Sequence, residues 1–312
     1  MTDQSRTQPG EMPPNLVVRG YGKFYDVLTP TGQLLCTVRG NVKRERRKTD
    51  PVAVGDRVEI TELGNGEGVI ESVAPRRRAL SREARGRTDV EHVILANPDQ
   101  LIAVFAVTEP EPHPRMLDRF LLIAERAGIG SVVCVNKIDL DTSGEGRKLF
   151  DRYHEAGYPV IYCSADSGQG IDELREHLRG KISVLAGPSG VGKSSLLNQI
   201  DPTQDIRVGE VSDATGKGRH TTTATTIFRL AGETYIADTP GIRQLGLYGV
   251  VPEDLDQYFP EFRPWLNACY YRDCTHIDEP DCAIIEALDA GKINRERYES
   301  YRSLRQPVVD DA

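Results

Sequence analysis

The chain has 312 residues, of which 38% are hydrophobic and 28% are charged, and its formal net charge at pH 7 is −8. A chain of this length usually folds as two or three units, and this composition is typical of a globular protein with a packed core. The longest apolar run, LIAVFAV, is too short to cross a bilayer. Residues 1–14 lack the apolar core of a signal peptide, so we expect a disordered arm, a cytoplasmic protein and no membrane partner.

Residues 15–80 alternate short β-rich runs with glycine turns, as in LVVRGYGKFYDVL and TGQLLCTVRG. Such spacing predicts a small OB-like β-barrel, a fold that often binds RNA. Although the whole chain is acidic, residues 39–87 contain 13 Lys/Arg against 8 Asp/Glu, concentrated in VKRERRK, PRRR and SREARGR. This local excess indicates either binding to a phosphate backbone or an ordinary solvated basic face.

From about Val90 the pattern changes to strands alternating with helices, and we assign residues 81–248 to this second domain. The strands are QLIAVFAV, SVVCVNK, PVIYCSA and KISVLAG, each followed by a helical pattern, and TTIFRL and TYIAD add two more strands. This alternation predicts right-handed crossovers and a mostly parallel α/β sheet. Ligands of such sheets bind at the carboxyl ends of the strands, where the polar motifs of this chain fall.

One of these motifs is GPSGVGKSS, which fits G-x-x-x-x-G-K-[ST] and lies between a predicted strand and a predicted helix. Glycines in such a loop let backbone N–H groups surround a phosphate, while the lysine reaches the β/γ-phosphates and the hydroxyl of Ser194 binds Mg²⁺. The alternative is a chance glycine-rich turn. The candidate phosphate-binding residues are Gly187, Pro188, Ser189, Gly190, Val191, Gly192, Lys193, Ser194 and Ser195.

The sequence DTPG ends the strand TYIAD, where Asp238 would hold Mg²⁺ through water and the Gly241 N–H would contact the γ-phosphate. Upstream lies GKGRHTTTATT, in which Thr222 or Thr223 would complete the magnesium shell, unless the segment is only a mobile polar loop. Ile242 follows DTPG at the position where many GTPases carry a water-orienting glutamine. We therefore take His220, the only histidine nearby, as the catalytic candidate.

NKID ends the strand SVVCVNK, and SA follows the next strand. The carboxylate of Asp139 can accept two hydrogen bonds from guanine that adenine cannot supply, so a site built this way rejects adenine. Asn136 would contact the base edge and the neighbouring loop, the stem of Lys137 would cover the base, and the Ala165 N–H would reach guanine O6. A polar strand end with an ordinary turn is the alternative. The candidate base-binding residues are Asn136, Lys137, Ile138, Asp139, Ser164 and Ala165.

The last part of the chain, residues 249–312, contains the pattern C-x4-C-x-H-x5-C followed by two predicted helices. Three thiolates and one imidazole make a closed tetrahedral Zn²⁺ site, which favours a structural ion in a helical zinc-binding domain. Buried cysteines without a metal are the alternative. The four candidate metal ligands are Cys269, Cys274, His276 and Cys282.

With these motifs assembled, the chain resembles the ribosome small-subunit-dependent GTPases of the RsgA type, which are circularly permuted: NKID and SA precede GPSGVGKSS, GRHTTT and DTPG. The resemblance covers nearly the whole chain. It implies an N-terminal OB-fold, a permuted P-loop GTPase domain with GTP/GDP and Mg²⁺, and a C-terminal domain with one structural Zn²⁺.

The resemblance also implies slow GTP hydrolysis stimulated by the small (30S) ribosomal subunit, and a late role in the maturation of that subunit through rRNA contacts. We expect a monomer. The alternative is an RNA-binding or zinc-structural protein that uses GTP only as a conformational lock, and this alternative would show no ribosome-stimulated turnover.

Overall fold

A computed structural model of the chain describes residues 14–40, 42, 49–84, 87–204, 225–230, 232–239 and 250–305. The chain forms two compact units. The first comprises Met1–Asp99, Leu178–Val184 and Val211–Tyr248, and the second comprises Gln100–His177, Leu185–Glu210 and Gly249–Ala312. Among the described helices, none combines the length and the apolar character that a membrane span requires.

The first unit begins with a closed five-stranded barrel, so the predicted OB-like barrel is confirmed. β1 pairs with both β2 and β4, while β3 pairs with β2 and, in parallel, with β5. Its interior is aliphatic, with Val17, Val27, Val58 and Ile70 inaccessible to solvent and the Cys36 thiol among them. The strands are β1 (Asn15–Tyr21), β2 (Phe24–Thr29), β3 (Gly32–Val38), β4 (Arg57–Gly64) and β5 (Glu67–Val73).

Five further strands contribute to the first unit. β6 (Ala79–Ala84) and β7 (Arg87–Ala96) form an antiparallel pair that the sequence pattern did not separate from its neighbours. β11 (Ile182–Ala186) pairs in parallel with β13 (Tyr235–Asp238), which pairs antiparallel with β12 (Thr226–Arg229). The prediction of a mostly parallel sheet therefore holds only in part, because β12 runs antiparallel to β13.

In the second unit, three parallel strands lie in the order β8, β9, β10, and the predicted strand–helix alternation is confirmed. Strand β10 is shorter than the predicted run PVIYCSA, since pairing ends before the SA motif. The strands are β8 (Gln100–Ala106), β9 (Gly130–Asn136) and β10 (Val160–Tyr162). The helices are α1 (Pro114–Ala127), α2 (Glu145–Glu155), α3 (Ile171–Leu178) and α4 (Lys193–Ile200), with short 3₁₀ turns at Ile138–Leu140 and Pro202–Gln204.

The C-terminal part of the second unit is built from two 3₁₀ segments, Pro252–Tyr258 and Pro260–Phe262, and two helices, α5 (Ala283–Asp289) and α6 (Arg295–Arg305). Its centre is an aromatic cluster of two phenylalanines and two tyrosines. The ring centroids of Phe259 and Phe262 are 5.3 Å apart, and those of Phe262 and Tyr301 are 5.0 Å apart. These rings supply the apolar core of a region with little other regular structure.

A buried ion cluster fixes this C-terminal part to helix α1. The guanidinium of Arg297, 2% exposed, donates to Asp118 of α1 at 2.5 Å and to Glu261 at 2.7 Å. Ser300, one turn further along α6, also donates to Asp118. Removing one partner of such a cluster leaves an uncompensated buried charge, so the three elements are held in one arrangement.

Candidate functional site

The predicted motifs of the second unit meet at one edge of its sheet. Parallel pairing sets Ala106 of β8 opposite Asn136 of β9, and Tyr162 of β10 opposite Val135. NKID begins at the end of β9, and SA begins two residues after β10. Because parallel strands point the same way, both motifs lie at the carboxyl edge, where ligands of α/β sheets bind.

One side chain, Asn136, connects three of the predicted motifs. It is 1% exposed, its Nδ2 donates to the carbonyl oxygen of Val191 at 2.8 Å, and its Oδ1 accepts from the N–H of Ala165 at 3.1 Å. Val191 lies in the GPSGVGKSS loop and Ala165 in the SA motif. This buried amide uses both its donor and its acceptor. It therefore holds the GPSGVGKSS loop next to the NKID and SA motifs.

The carboxylate of Asp139 is oriented by the SA motif. The buried Ser164 hydroxyl donates to Asp139 Oδ1 at 2.5 Å and accepts from the backbone N–H of Ser167 at 3.0 Å. A short hydroxyl–carboxylate bond of this kind fixes one carboxylate oxygen. Lys137 has a left-handed backbone, φ 63°, and its ammonium group donates to the carbonyl oxygen of Glu109.

The N–H of Ala165 already donates to Asn136 in this structure. The predicted contact of that N–H with guanine O6 would therefore have to share or replace an existing hydrogen bond. Ile138, the remaining residue of NKID, is 3% exposed, and its N–H donates to the carbonyl oxygen of Cys163 at 3.2 Å, which holds the two motifs together.

The GPSGVGKSS loop needs its glycines. Gly187 and Gly192 have φ of 150° and 91°, in the region that favours glycine. A Cβ at Gly187 would lie 2.1 Å from the carbonyl oxygen of Val104, and one at Gly192 would lie 2.4 Å from Nδ2 of Asn136. The loop can therefore pack this closely on β8 and on NKID only without side chains at these two positions.

Lys193 begins helix α4, and its ammonium group lies over the loop that precedes it. Nζ donates to the carbonyl oxygens of Gly187 at 3.1 Å and Pro188 at 2.8 Å, and the side chain is 7% exposed. Gly192 precedes the helix and gives it no side-chain cap, and the N-terminus of a helix favours the binding of an anion. The buried Ser194 follows in the first turn, whereas Ser189 and Gly190 are exposed at the tip of the loop.

Of the remaining candidates for nucleotide and magnesium binding, one lies in the first unit and the others lie outside the described residues. Asp238 is the last residue of β13 in the first unit, and Thr239 after it is 3% exposed. Within the described part of the chain, the buried Thr239 hydroxyl has no hydrogen-bond partner. The candidates His220, Thr222, Thr223 and Gly241 lie outside the described residues.

The four candidate metal ligands converge. The ligating atoms of Cys269, Cys274, His276 and Cys282 all lie within 4.8 Å of one another. The Nδ1 of His276 lies 3.5 Å from the Cys269 sulfur and 3.4 Å from the Cys282 sulfur, and the two sulfurs are 3.9 Å apart. Ligands at the usual Zn–S and Zn–N distances occupy corners of a tetrahedron with edges of about 3.5–3.8 Å. The cluster therefore fits a Zn²⁺ ion.

Surrounding residues hold this cluster in place. Nε2 of His276 lies 3.2 Å from a carboxylate oxygen of Asp256, an arrangement that fixes the tautomer and ring orientation of a metal-binding histidine. The Tyr298 hydroxyl donates to the His276 carbonyl oxygen at 2.8 Å. Burial raises the pKa of the Cys274 thiol to about 12, so a metal must displace a proton to bind there.

Sequence reasoning did not identify Asp256 or the cluster of Asp118, Glu261 and Arg297. A signal was present for one of them, because Asp118 falls on the apolar face of MLDRFLLIAERAG and a carboxylate there requires a partner. No local pattern pairs it with Arg297, 179 residues later. Ion pairs between residues this far apart in sequence depend on how the chain packs, so a local sequence pattern does not predict them.

A parallel sheet whose carboxyl edge carries GPSGVGKSS and NKID, with NKID earlier in the chain, defines the class: a P-loop GTPase with circularly permuted motifs. Two family descriptions match the chain, the RsgA N-terminal domain over residues 16–70 and the RsgA GTPase over residues 73–248. The chain belongs to the RsgA GTPase family.

Individual relatives are similar over nearly their full length. The "Small ribosomal subunit biogenesis GTPase RsgA" of Gemmatimonas aurantiaca is 43% identical over 94% of this chain and 97% of that protein. The crystal structure of YjeQ from Thermotoga maritima is similar with a TM-score of 0.76 and 37% identity, covering 93% of this chain and 96% of that one. YloQ, described as a circularly permuted GTPase, has a TM-score of 0.73 and 28% identity, covering 96% of each chain.

Proposed function

We propose that this protein hydrolyses GTP to GDP and phosphate, binds the small (30S) ribosomal subunit, and assists the biogenesis of that subunit. The observation that carries the nucleotide part is the double hydrogen bond of Asn136, which joins the phosphate loop to the base-binding motifs. The names of the relatives support the ribosomal part, since they are small ribosomal subunit biogenesis GTPases. Subunit-stimulated turnover is the behaviour that we expect of such a protein.

For the nucleotide, we assign the phosphates to residues 187–195 and the base to residues 136–139 with 164–165. Lys193 contacts the β/γ-phosphates, and it can turn to them because its present acceptors are carbonyl oxygens of the same loop. Asp139 accepts from guanine, and the Ser164 hydroxyl holds its carboxylate in the required orientation. A site that uses such bonds discriminates strongly against adenine.

For Mg²⁺ and the attacking water, the assignment rests on the sequence motifs. Ser194, Asp238 and either Thr222 or Thr223 bind the magnesium ion, and the Gly241 N–H contacts the γ-phosphate. His220 positions the water, since the residue immediately after DTPG is Ile242 and not a glutamine.

For the C-terminal part, Cys269, Cys274, His276 and Cys282 hold one structural Zn²⁺, which adds to the stability that the aromatic cluster of this region provides. We divide the chain into an arm at residues 1–14, an RNA-binding barrel at 15–80, the permuted GTPase domain at 81–248 and the zinc-binding domain at 249–312. The basic runs of residues 39–87 support rRNA contact by the barrel. The protein is a cytoplasmic monomer.

Sedimentation with purified ribosomal subunits tests the partner. The protein with a non-hydrolysable GTP analogue should pellet with small subunits, and less of it should pellet with GDP. Large subunits are the matched control, because they present the same phosphate backbone without the specific surface. Equal pelleting with both subunits would reduce the interaction to non-specific attraction between basic residues and RNA.

A further inference from the structure

The first unit contains a cleft of about 410 Å³, and none of the described residues that we assign to the GTP site lines it. Its lining includes three arginines, Arg57, Arg77 and Arg78, and two nearly buried residues, Ile182 and Tyr235, which are 5% and 4% exposed. All of these residues belong to the first unit. The size falls within the range of pockets that hold small organic ligands.

The arginines are positioned by a fixed backbone. Asn97, with a left-handed φ of 53°, accepts from the N–H of Arg77 at 2.9 Å through Oδ1, and its own N–H donates to the carbonyl oxygen of Arg78 at 2.9 Å. The Asn97 amide nitrogen also donates to the carbonyl oxygen of Gly55 at 3.1 Å. Asn97 thus holds the two-arginine segment from both sides, which a merely solvated basic turn does not require.

The charge of the cleft suits an anion. Glu233 at its edge already accepts from Arg229 at 2.9 Å and from the Tyr235 hydroxyl at 2.8 Å, so its charge is compensated. Asp99 is the other lining carboxylate, and it accepts from the N–H of Ile182 at 2.8 Å. The lining therefore carries three arginines against two carboxylates, one of which is already paired with Arg229, and the balance is positive.

The guanidinium groups of these arginines also have N–H donors that can bind a ligand. Within the part of the chain that the structure describes, no side-chain hydrogen bond or ion pair engages the exposed Arg77 and Arg78. Arg57 donates through Nη1 to the carbonyl oxygen of Pro14 at 3.1 Å, which leaves most of its five N–H groups. Arginine forks match the oxygens of a phosphate group, and several together are typical of phosphate recognition.

We propose that this cleft is a second nucleotide-binding site, separate from the GTP site. The phosphate group lies on Arg57, Arg77 and Arg78, and the sugar and base occupy the remaining volume of the cleft. A free nucleotide and a nucleotide within a single RNA strand present this same chemistry, and the experiment distinguishes the two sources.

The test is calorimetric titration of the full chain, first given one equivalent of Mg²⁺-GDP to fill the GTP site. The probes are AMP, adenosine as the ligand without phosphate, and hexauridylate as the single-stranded RNA. Arg77→Ala and Arg78→Ala are the test variants. Arg39→Ala is the matched control, because Arg39 is an exposed arginine of the same unit whose partner is Glu71, outside the cleft.

We expect AMP to bind and adenosine not to bind. Each test variant should lower the affinity for AMP about tenfold, while Arg39→Ala should leave this affinity unchanged. Binding of hexauridylate but not AMP, with the same dependence on Arg77 and Arg78, supports the site and identifies RNA as the source. The proposal is overturned if neither probe depends on these arginines, or if adenosine binds as well as AMP. Unchanged thermal unfolding of the variants shows that any loss reflects binding.

Discussion

Two glycines of the phosphate loop provide a matched pair for testing the geometry of the nucleotide site. Gly190 and Gly192 have similar left-handed backbones, with φ of 80° and 91°. A Cβ at Gly190 would meet its nearest heavy atom, Cδ of Pro110, at the ordinary distance of 3.8 Å. A Cβ at Gly192 would lie 2.4 Å from Nδ2 of Asn136, which is far too close. Only the second substitution should disturb the amide that joins the motifs.

The expected difference follows from these contacts. Each alanine costs about 1–2 kcal/mol for its left-handed conformation, and this cost cancels between the two variants. Gly192→Ala also displaces the Asn136 amide from Val191 and Ala165. Leaving a buried partner unsatisfied costs about 1–3 kcal/mol, so two such losses amount to about 2–6 kcal/mol. With about 2–4 °C per kcal/mol, Gly192→Ala should unfold at least ~4 °C below Gly190→Ala.

Thermal unfolding followed by circular dichroism measures this difference without nucleotide, so contacts with phosphate do not enter. Competition between GDP and ADP on the same two variants adds a functional reading. Gly192→Ala should lose guanine selectivity, because Asn136 also holds the SA motif, whereas Gly190→Ala should keep it. Equal unfolding temperatures for the two variants would contradict this prediction, because the hydrogen bonds of Asn136 would then contribute nothing to stability.

Four other predictions concern the remaining parts of the site and its supports. Arg297→Met leaves two buried carboxylates without a cationic partner and should destabilise the protein by about 3–5 kcal/mol in urea unfolding. Asp256→Asn should weaken Zn²⁺ binding about 10–100-fold in chelator competition, while Asp254→Asn on the same 3₁₀ segment should not. Because burial raises the pKa of Cys274 to about 12, Zn²⁺ affinity should increase with pH, and pH-independent affinity would argue against thiolate ligation. Asp139→Asn should lower the affinity for GTP about a hundredfold and change the affinity for ATP little in competition binding, because an amide cannot replace the carboxylate as a double acceptor.

Local patterns were enough to predict most of the fold. The barrel follows from period-two runs between glycine turns, and the parallel strands follow from apolar runs followed by helical patterns, as in β8 and α1. The short β10 and the β6–β7 pair were not predicted, because strand ends and hairpins depend on hydrogen bonding with neighbours.

The candidate site was likewise predicted from the sequence only in part. Motif spacing was enough to select Asn136 and Lys193 as candidates, because a strand, a turn and a helix start fix where such residues lie. It could not reveal that Asn136 bonds to both Val191 and Ala165, or that Asp256 supports His276. These contacts join residues far apart in sequence, so only the packed chain specifies them.

Phosphate release from GTP, measured with purified small ribosomal subunits present and absent, tests whether the subunit stimulates this GTPase. We expect slow release by the protein alone and a marked increase with small subunits but not with large ones. Lys193→Ala should abolish both rates, which assigns the turnover to the GPSGVGKSS loop. A rate that small subunits leave unchanged would contradict the proposed function and favour a protein that uses GTP only as a conformational lock.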